Sequence, residues 1–175
     1  MNKKELPQIE RVVLIGYRCA GKTTVGKNLS RELQWKYIST DELIVAKSGK
    51  PITLFVNKFG WEKFRHLEHE VINQLAGESN CIIDCGGGVV EDSESMEVLN
   101  RSALVVWIDA NPDDFKWRLS KGKDRPLLSE ANLESDFTRH YQKRLPLYKK
   151  YSQLYFNTSE KNVIEICRDI LSRLS

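Results

Sequence analysis

The residues Gly16-Tyr17-Arg18-Cys19-Ala20-Gly21-Lys22-Thr23 have the spacing G-x-x-x-x-G-K-[ST], and each fixed position serves the binding of a polyphosphate. Gly16 and Gly21 let the backbone curl so that its amides turn inward toward phosphate oxygens. A helix opening at Lys22 adds the positive end of its dipole. Lys22 can reach the β- and γ-phosphates, and the Thr23 hydroxyl suits Mg²⁺. Cys19, Ala20, Gly21, Lys22, Thr23 and Thr24 are therefore the expected nucleotide-binding stretch. A GTPase would also need D-x-x-G followed by N-K-x-D. Asp84-Cys85-Gly86-Gly87 fits the first, but Asn57-Lys58-Phe59-Gly60 lacks the aspartate and comes too early. The chain also lacks the His-Arg-Asp and Asp-Phe-Gly motifs of a protein kinase. A small-molecule kinase remains.

Such an enzyme needs an acceptor side. Asp41, in Ser39-Thr40-Asp41-Glu42, falls just past a strand and could take a proton from an acceptor hydroxyl; its position equally suits the cap of the next helix. Arg65 could bind an acidic substrate with Glu68 orienting it, or form an exposed ion pair on a helix. Gly86-Gly87-Gly88 follows a strand directly, and three flexible residues in a row imply close backbone approach. Arg125 precedes Pro126 in a polar segment from which it could swing onto a γ-phosphate, and Arg118 could stack on adenine. Arg125 and Arg144 also suit a solvated surface.

These residues need a scaffold that gathers them. Arg11–Ile15, Trp35–Ile38, Cys81–Asp84, Ala103–Ile108 and Leu154–Phe156 read as strands. Helical patterns cover Lys22–Leu33, Asp41–Lys47, Ile52–Leu75 (broken near Phe59-Gly60), Pro112–Leu119 and Val163–Leu174. The alternation predicts an α/β fold with a parallel sheet covered on both faces. The 175 residues suit one domain of the usual size, about 100–150 residues or somewhat more. Lys plus Arg number 27 and Asp plus Glu 24; a net charge of +3 argues against a dedicated nucleic-acid binder and leaves room for a small anion. The first apolar run is too short for a signal peptide or membrane span, and the four cysteines lack metal spacing. A cytoplasmic protein with reduced thiols is expected. His66 and His69 sit beside Glu68 and Glu70 with no further ligand apparent, which suits a mixed-charge helix surface rather than a metal site.

The phosphate loop, Asp41, Phe64-Arg65 with Glu68, the glycine run, Arg125-Pro126-Leu127-Leu128 and Arg144-x-Pro-Leu-Tyr148 occur in the order found in shikimate kinases, and the chain resembles that family over nearly its full length. The resemblance implies a P-loop NTPase fold of the nucleoside-monophosphate-kinase-like type: three layers, a five-stranded parallel sheet, a mobile lid (about 120–133) and a helical substrate-binding segment (about 41–75). It implies transfer of the γ-phosphate of MgATP to the 3-hydroxyl of shikimate, by a monomer with no nucleic-acid or membrane partner. In this reading Asp41 contacts the acceptor hydroxyls, Arg65 and Arg144 hold the carboxylate, and the backbone of Gly86, Gly87 and Gly88 closes the pocket. Lys22 and Arg125 neutralise the migrating phosphoryl group, while Arg118 and Lys161 lie against the adenosine. The rival readings are a kinase of another hydroxy acid such as gluconate, and a catalytically silent nucleotide-binding module. The family often carries an aspartate where this chain has Ser39. Asp84, at the end of the third strand, is a candidate to replace that charge around Mg²⁺ beside Thr23, or else to hydrogen-bond the phosphate-loop backbone. Cys19 inside the loop raises the expectation of a thiol sensitivity that ATP blocks.

Overall fold

A computed structural model of the chain describes residues 9–121 and 133–174. Its five strands are β1 (Arg11–Ile15), β2 (Lys36–Ser39), β3 (Cys81–Asp84), β4 (Ala103–Asp109) and β5 (Leu154–Asn157). They form one parallel sheet in the order β2-β3-β1-β4-β5. The helices are α1 (Lys22–Leu33), α2 (Thr40–Ser48), α3 (Ile52–Gln74), α4 (Ser93–Asn100), α5 (Pro112–Lys121), α6 (Leu133–Tyr151) and α7 (Val163–Leu171). All five expected strands are present, and α3 is interrupted where the pattern broke: Gly60 has φ 83 and ψ 167.

Two helices lie outside the sequence reading. The α4 segment spans eight residues, too few for a clear periodic stripe. The α6 segment contains Pro146, which ordinarily argues for a helix end.

Alternation along β1 assigns the layers. Val12 and Leu14 pack with Val25 and Leu29 of α1, Phe115 of α5 and Ile166 and Ile170 of α7. Val13 and Ile15 pack with Ile72 of α3, Met96 and Leu99 of α4 and Tyr148 of α6. Coverage on both faces explains why the strands read as unbroken apolar runs. A third, smaller cluster joins α2 to α3 through Ile44, Val56, Phe64 and Val71. The chain passes from β1 to β2 on one side and from β3 to β4 on the other, so the crevice beyond the carboxyl ends of the adjacent strands β1 and β3 is the place where such sheets bind ligands.

The loop between β3 and α4 is tied to α3 by His69, whose Nδ1 lies 2.7 Å from Asp92 Oδ2, while Asp92 Oδ1 accepts from the Glu94 amide and caps α4. His66 instead pairs with Glu70 along the helix surface. The hydrogen bond to Asp92 raises the pKa of His69, and the Asp92 carboxyl, against the effect of burial, is held below its ordinary range by Ser95 and His69. A raised histidine stabilises the fold while pH is below its unfolded value and loses that effect as pH rises through the folded value. The melting temperature gap between wild type and His69→Gln is therefore expected to shrink when thermal unfolding is followed from pH 6 to pH 9.

Candidate functional site

The phosphate loop leaves β1 at Gly16, whose φ of 141 and close packing admit no side chain: a Cβ there would stand 2.0 Å from the Ile108 carbonyl oxygen. At the other end Lys22 opens α1 and folds its side chain back over the loop, donating to the carbonyls of Gly16 (2.9 Å) and Tyr17 (3.0 Å). Lys22 is almost wholly buried, so an arriving phosphate would meet an ammonium group already shielded from bulk water. Arg118 crosses from α5 and donates from Nη1 to the Cys19 carbonyl (3.1 Å) and to Thr158 Oγ1 (3.0 Å). The Thr158 hydroxyl is 2.8 Å from the Ala20 carbonyl, closing the loop's outer side. Cys19, Gly21, Lys22, Thr23, Thr24 and Arg118 line one cleft together with Thr158 and Val163. Lys161 does not join them, since its ammonium pairs with Asp169 on α7. Arg125 lies outside the described residues.

At the inner end of this cleft Thr23 Oγ1 donates to Asp84 Oδ2 at 2.7 Å. A hydroxyl whose proton is committed to a carboxylate keeps its lone pairs for a hard cation, so these residues fit Mg²⁺. Among the described residues no three His, Cys, Asp or Glu side chains cluster for a metal. Such an ion would complete its shell with phosphate oxygens and water. Ser39 caps α2 by accepting from the Glu42 amide (3.3 Å), so its oxygen serves the helix.

A second cleft adjoins the first and is lined by Arg18, Asp41, Ile52, Trp61, Phe64, Arg65, Glu68, the three glycines and Arg144. Asp41 lines both clefts. A side chain at each glycine of the run would crowd a different set of neighbours. A Cβ on Gly86 would lie 2.8 Å from Glu68 Oε1 and 3.0 Å from Asp41 Oδ1; on Gly87, 3.2 Å from the Arg18 nitrogen and the Gly16 oxygen; on Gly88, 2.1 Å from the Arg65 guanidinium. The run is also held from outside, since Thr40 Oγ1 accepts from the Gly86 amide (3.1 Å) and Tyr148 donates to the Gly87 carbonyl (2.5 Å).

Both guanidinium groups are paired with carboxylates. Arg65 pairs with Glu68, which is only 3% exposed, so the alternative of an ion pair in open solvent does not hold for this carboxylate. Burial raises the Glu68 pKa, Arg65 opposes that rise and Asp41 adds to it. Arg144 Nε and Nη2 reach Glu91 Oε2 at 2.8 and 2.7 Å, with Lys143 on the other oxygen at 2.6 Å. Burial works against the Glu91 carboxylate, yet the two cations bring its pKa below the ordinary value. The arrangement can hold an acidic ring against two arginines while Asp41 faces a hydroxyl beside the phosphate cradle.

Sequence reasoning did not single out Tyr37, Thr40, Trp61, Glu91, Thr158 or Val163 for the site, and took Arg18 only as a letter of the phosphate loop. Thr40 carried the most usable signal, being the residue between a strand and Asp41. The others meet the site only through long-range packing.

Comparisons with known proteins point to one family. A family model described as Shikimate kinase matches residues 18–175. A shikimate kinase of Dehalococcoides mccartyi is 32% identical over 163 residues, covering 93% of this chain and 92% of its own. One from Thermodesulfovibrio yellowstonii is 34% identical over 142 residues, covering 81% and 82%. Among solved structures, shikimate kinase from Acinetobacter baumannii in complex with shikimate superposes with a TM-score of 0.88 at 27% identity, covering 96% of this chain and 94% of the other.

Cys19 has φ 64, a left-handed conformation that side chains adopt at a cost. In thermal unfolding Cys19→Gly is expected to be no less stable than wild type, whereas Cys19→Val loses about 1–2 kcal/mol. Because Cys19 lines the nucleotide cleft and Cys81, Cys85 and Cys167 are buried, iodoacetamide labelling followed by mass spectrometry is expected to modify Cys19 first, and ATP to slow it.

Proposed function

The chain belongs to the shikimate kinase family, and from that premise we propose that it moves the γ-phosphoryl group of ATP to the 3-hydroxyl of shikimate, releasing shikimate 3-phosphate and ADP. The observation that carries the reading is the place of Asp41 in the shared wall of two clefts, one lined by the phosphate loop and the other by arginines.

The nucleotide binds with its phosphates under the loop amides and Lys22, and its base toward Arg118; Lys161, paired with Asp169, would have to leave that partner to reach the adenosine. Arg65 and Arg144 hold the shikimate carboxylate, each oriented beforehand by its own carboxylate partner, and the backbone from Gly86 to Gly88 closes over the ring. Arg18 and Trp61 complete the wall. Thr23 would hold magnesium directly, with Asp84 behind it and acting through water, and the bound ion would supply neutralisation of phosphate charge.

Phosphoryl transfer passes through a loose transition state, so positioning outweighs strong base catalysis. Asp41 orients the acceptor hydroxyl and takes its proton as the new O–P bond forms and the bond to ADP breaks. Lys22 and Arg125 balance the charge of the migrating group. The reading takes residues 1–175 as one domain with its phosphate loop at 16–24, its substrate segment near 41–75 and a lid near 120–133, much of which lies outside the described residues. It also takes the enzyme as a cytoplasmic monomer acting on two small molecules, ATP and shikimate.

A coupled assay with shikimate, with gluconate and with ATP alone tests this. Turnover with shikimate only is expected; turnover of gluconate, or ADP binding with no turnover of any acceptor, would sink the proposal. Asp41→Asn is expected to keep ADP affinity and lose about 10²–10⁴ in kcat. Arg144→Lys is expected to raise KM for shikimate about tenfold, because a lysine cannot bridge Glu91 and a carboxylate with one planar fork, while KM for ATP stays put.

A further inference from the structure

We infer that Tyr37 is the positioning residue that fixes Asp84 for the metal side of the reaction, an inference that rests on the kinase reading above. Ser39 and Asp84 are register partners at the carboxyl ends of β2 and β3, so a single negative charge could stand on either strand at this level. In this chain it stands on β3. Of the carboxylates lining the nucleotide cleft, Asp41 also belongs to the acceptor wall and Glu42 is exposed on α2. Among the described residues Asp84 is the one whose carboxylate meets Thr23.

One oxygen of that carboxylate is doubly held. Asp84 Oδ2 accepts from the Thr23 hydroxyl at 2.7 Å and from the Tyr37 hydroxyl at 2.8 Å, and Oδ1 has no hydrogen-bond partner among the described residues. Two donors on one oxygen set the carboxylate's rotation and leave the other oxygen as the available acceptor for a metal-bound water.

The Tyr37 ring has a built seat. It packs on α1 at Gly26, where a Cβ would lie 2.9 Å from Tyr37 Cε2 and 3.0 Å from Leu14 Cδ1. Lys27 Nζ stands 5.6 Å from the ring centroid. A glycine in a helix interior weakens the helix, and here its absent side chain is what lets the phenol lie against α1 and reach Asp84. A phenylalanine would fill the same seat, so the hydroxyl is the part with a task beyond packing.

Tyr37→Phe isolates that hydroxyl. ADP binding is to be measured by calorimetry in EDTA and across a magnesium series, with Mn²⁺ binding followed by electron paramagnetic resonance and folding by melting temperature. ADP affinity in EDTA is expected to stay within about twofold of wild type, and the magnesium concentration giving half of the affinity gain to rise about five- to tenfold, the scale of one lost hydrogen bond of ordinary net strength. Asp84→Ala is expected to raise it further, and Tyr37→Phe to add nothing in that background. An unchanged magnesium requirement in Tyr37→Phe, with a raised one in Asp84→Ala, overturns the role of Tyr37. If Asp84→Ala leaves the requirement unchanged, the metal role of Asp84 is lost and the role of Tyr37 with it. A wild-type protein whose ADP binding ignores magnesium and which does not turn over shikimate would instead overturn the kinase reading beneath both.

Discussion

Two anionic substrates must be brought within bonding distance of each other, and the protein has to store the necessary positive charge while neither is bound. An unpaired guanidinium buried in a low-dielectric pocket is costly. The fold meets this constraint by pairing each cation in advance. Arg65 leans on Glu68, and Arg144 shares Glu91 with Lys143. Lys22 is folded onto the carbonyls of its own loop. Each pairing keeps the cation hydrogen-bonded and leaves it in the wall of a cleft. Removing one carboxylate would therefore disturb the empty state as well as the bound one, since its partner would be left buried and uncompensated.

The glycine run is where the two clefts are joined mechanically. Gly86 gives up its side-chain volume to the carboxylates of Asp41 and Glu68, Gly87 to the phosphate loop and Gly88 to Arg65. Thr40 and Tyr148 then fix the run's backbone from either side. The acceptor pocket is consequently set by the same few peptide groups that abut the nucleotide cradle. A displacement of the phosphate loop would be felt at Gly87 and passed to both neighbours, because interiors packed this closely yield little.

Much of this was legible in the order of residues. The five strands, the kink at Gly60, the phosphate loop and the place of Asp41 just past β2 follow from local patterns and spacing, while the gathering of Arg65 and Arg144 with Asp41 was implied only by the family resemblance. What was illegible depends on contacts between distant segments. Glu91 sits in a short 3-10 turn and shows its role only once α6 brings Arg144 beside it. Tyr37 looks like an ordinary aromatic strand residue until Gly26 and Asp84 are placed around it. The α6 helix hid behind Pro146, and Lys161, expected near the nucleotide, has a nearer partner in Asp169 on α7.

Burial alone does not separate functional arginines from structural ones, as the opposite end of the sheet shows. Arg11, 2% exposed at the start of β1, donates to the carbonyls of Arg101 (2.9 Å), Leu75 (2.9 Å) and Val98 (2.7 Å). These carbonyls come from the end of α3 and from in and just beyond α4, so Arg11 satisfies backbone groups that the helix ends leave over. It faces no cleft among those described, and it is this, more than the neutrality of its partners, that sets it apart from Lys22, which also rests on carbonyls but lines the nucleotide cleft. Arg144 is comparably buried, 4% exposed, yet it is paired with an anion and lines a pocket. At the carboxyl ends of the strands Arg65 and Arg144 thus stand against anions beside open space, where a further carboxylate could add to the existing pair. The amino ends hold a cation against carbonyls in closed space, where it can only staple the fold.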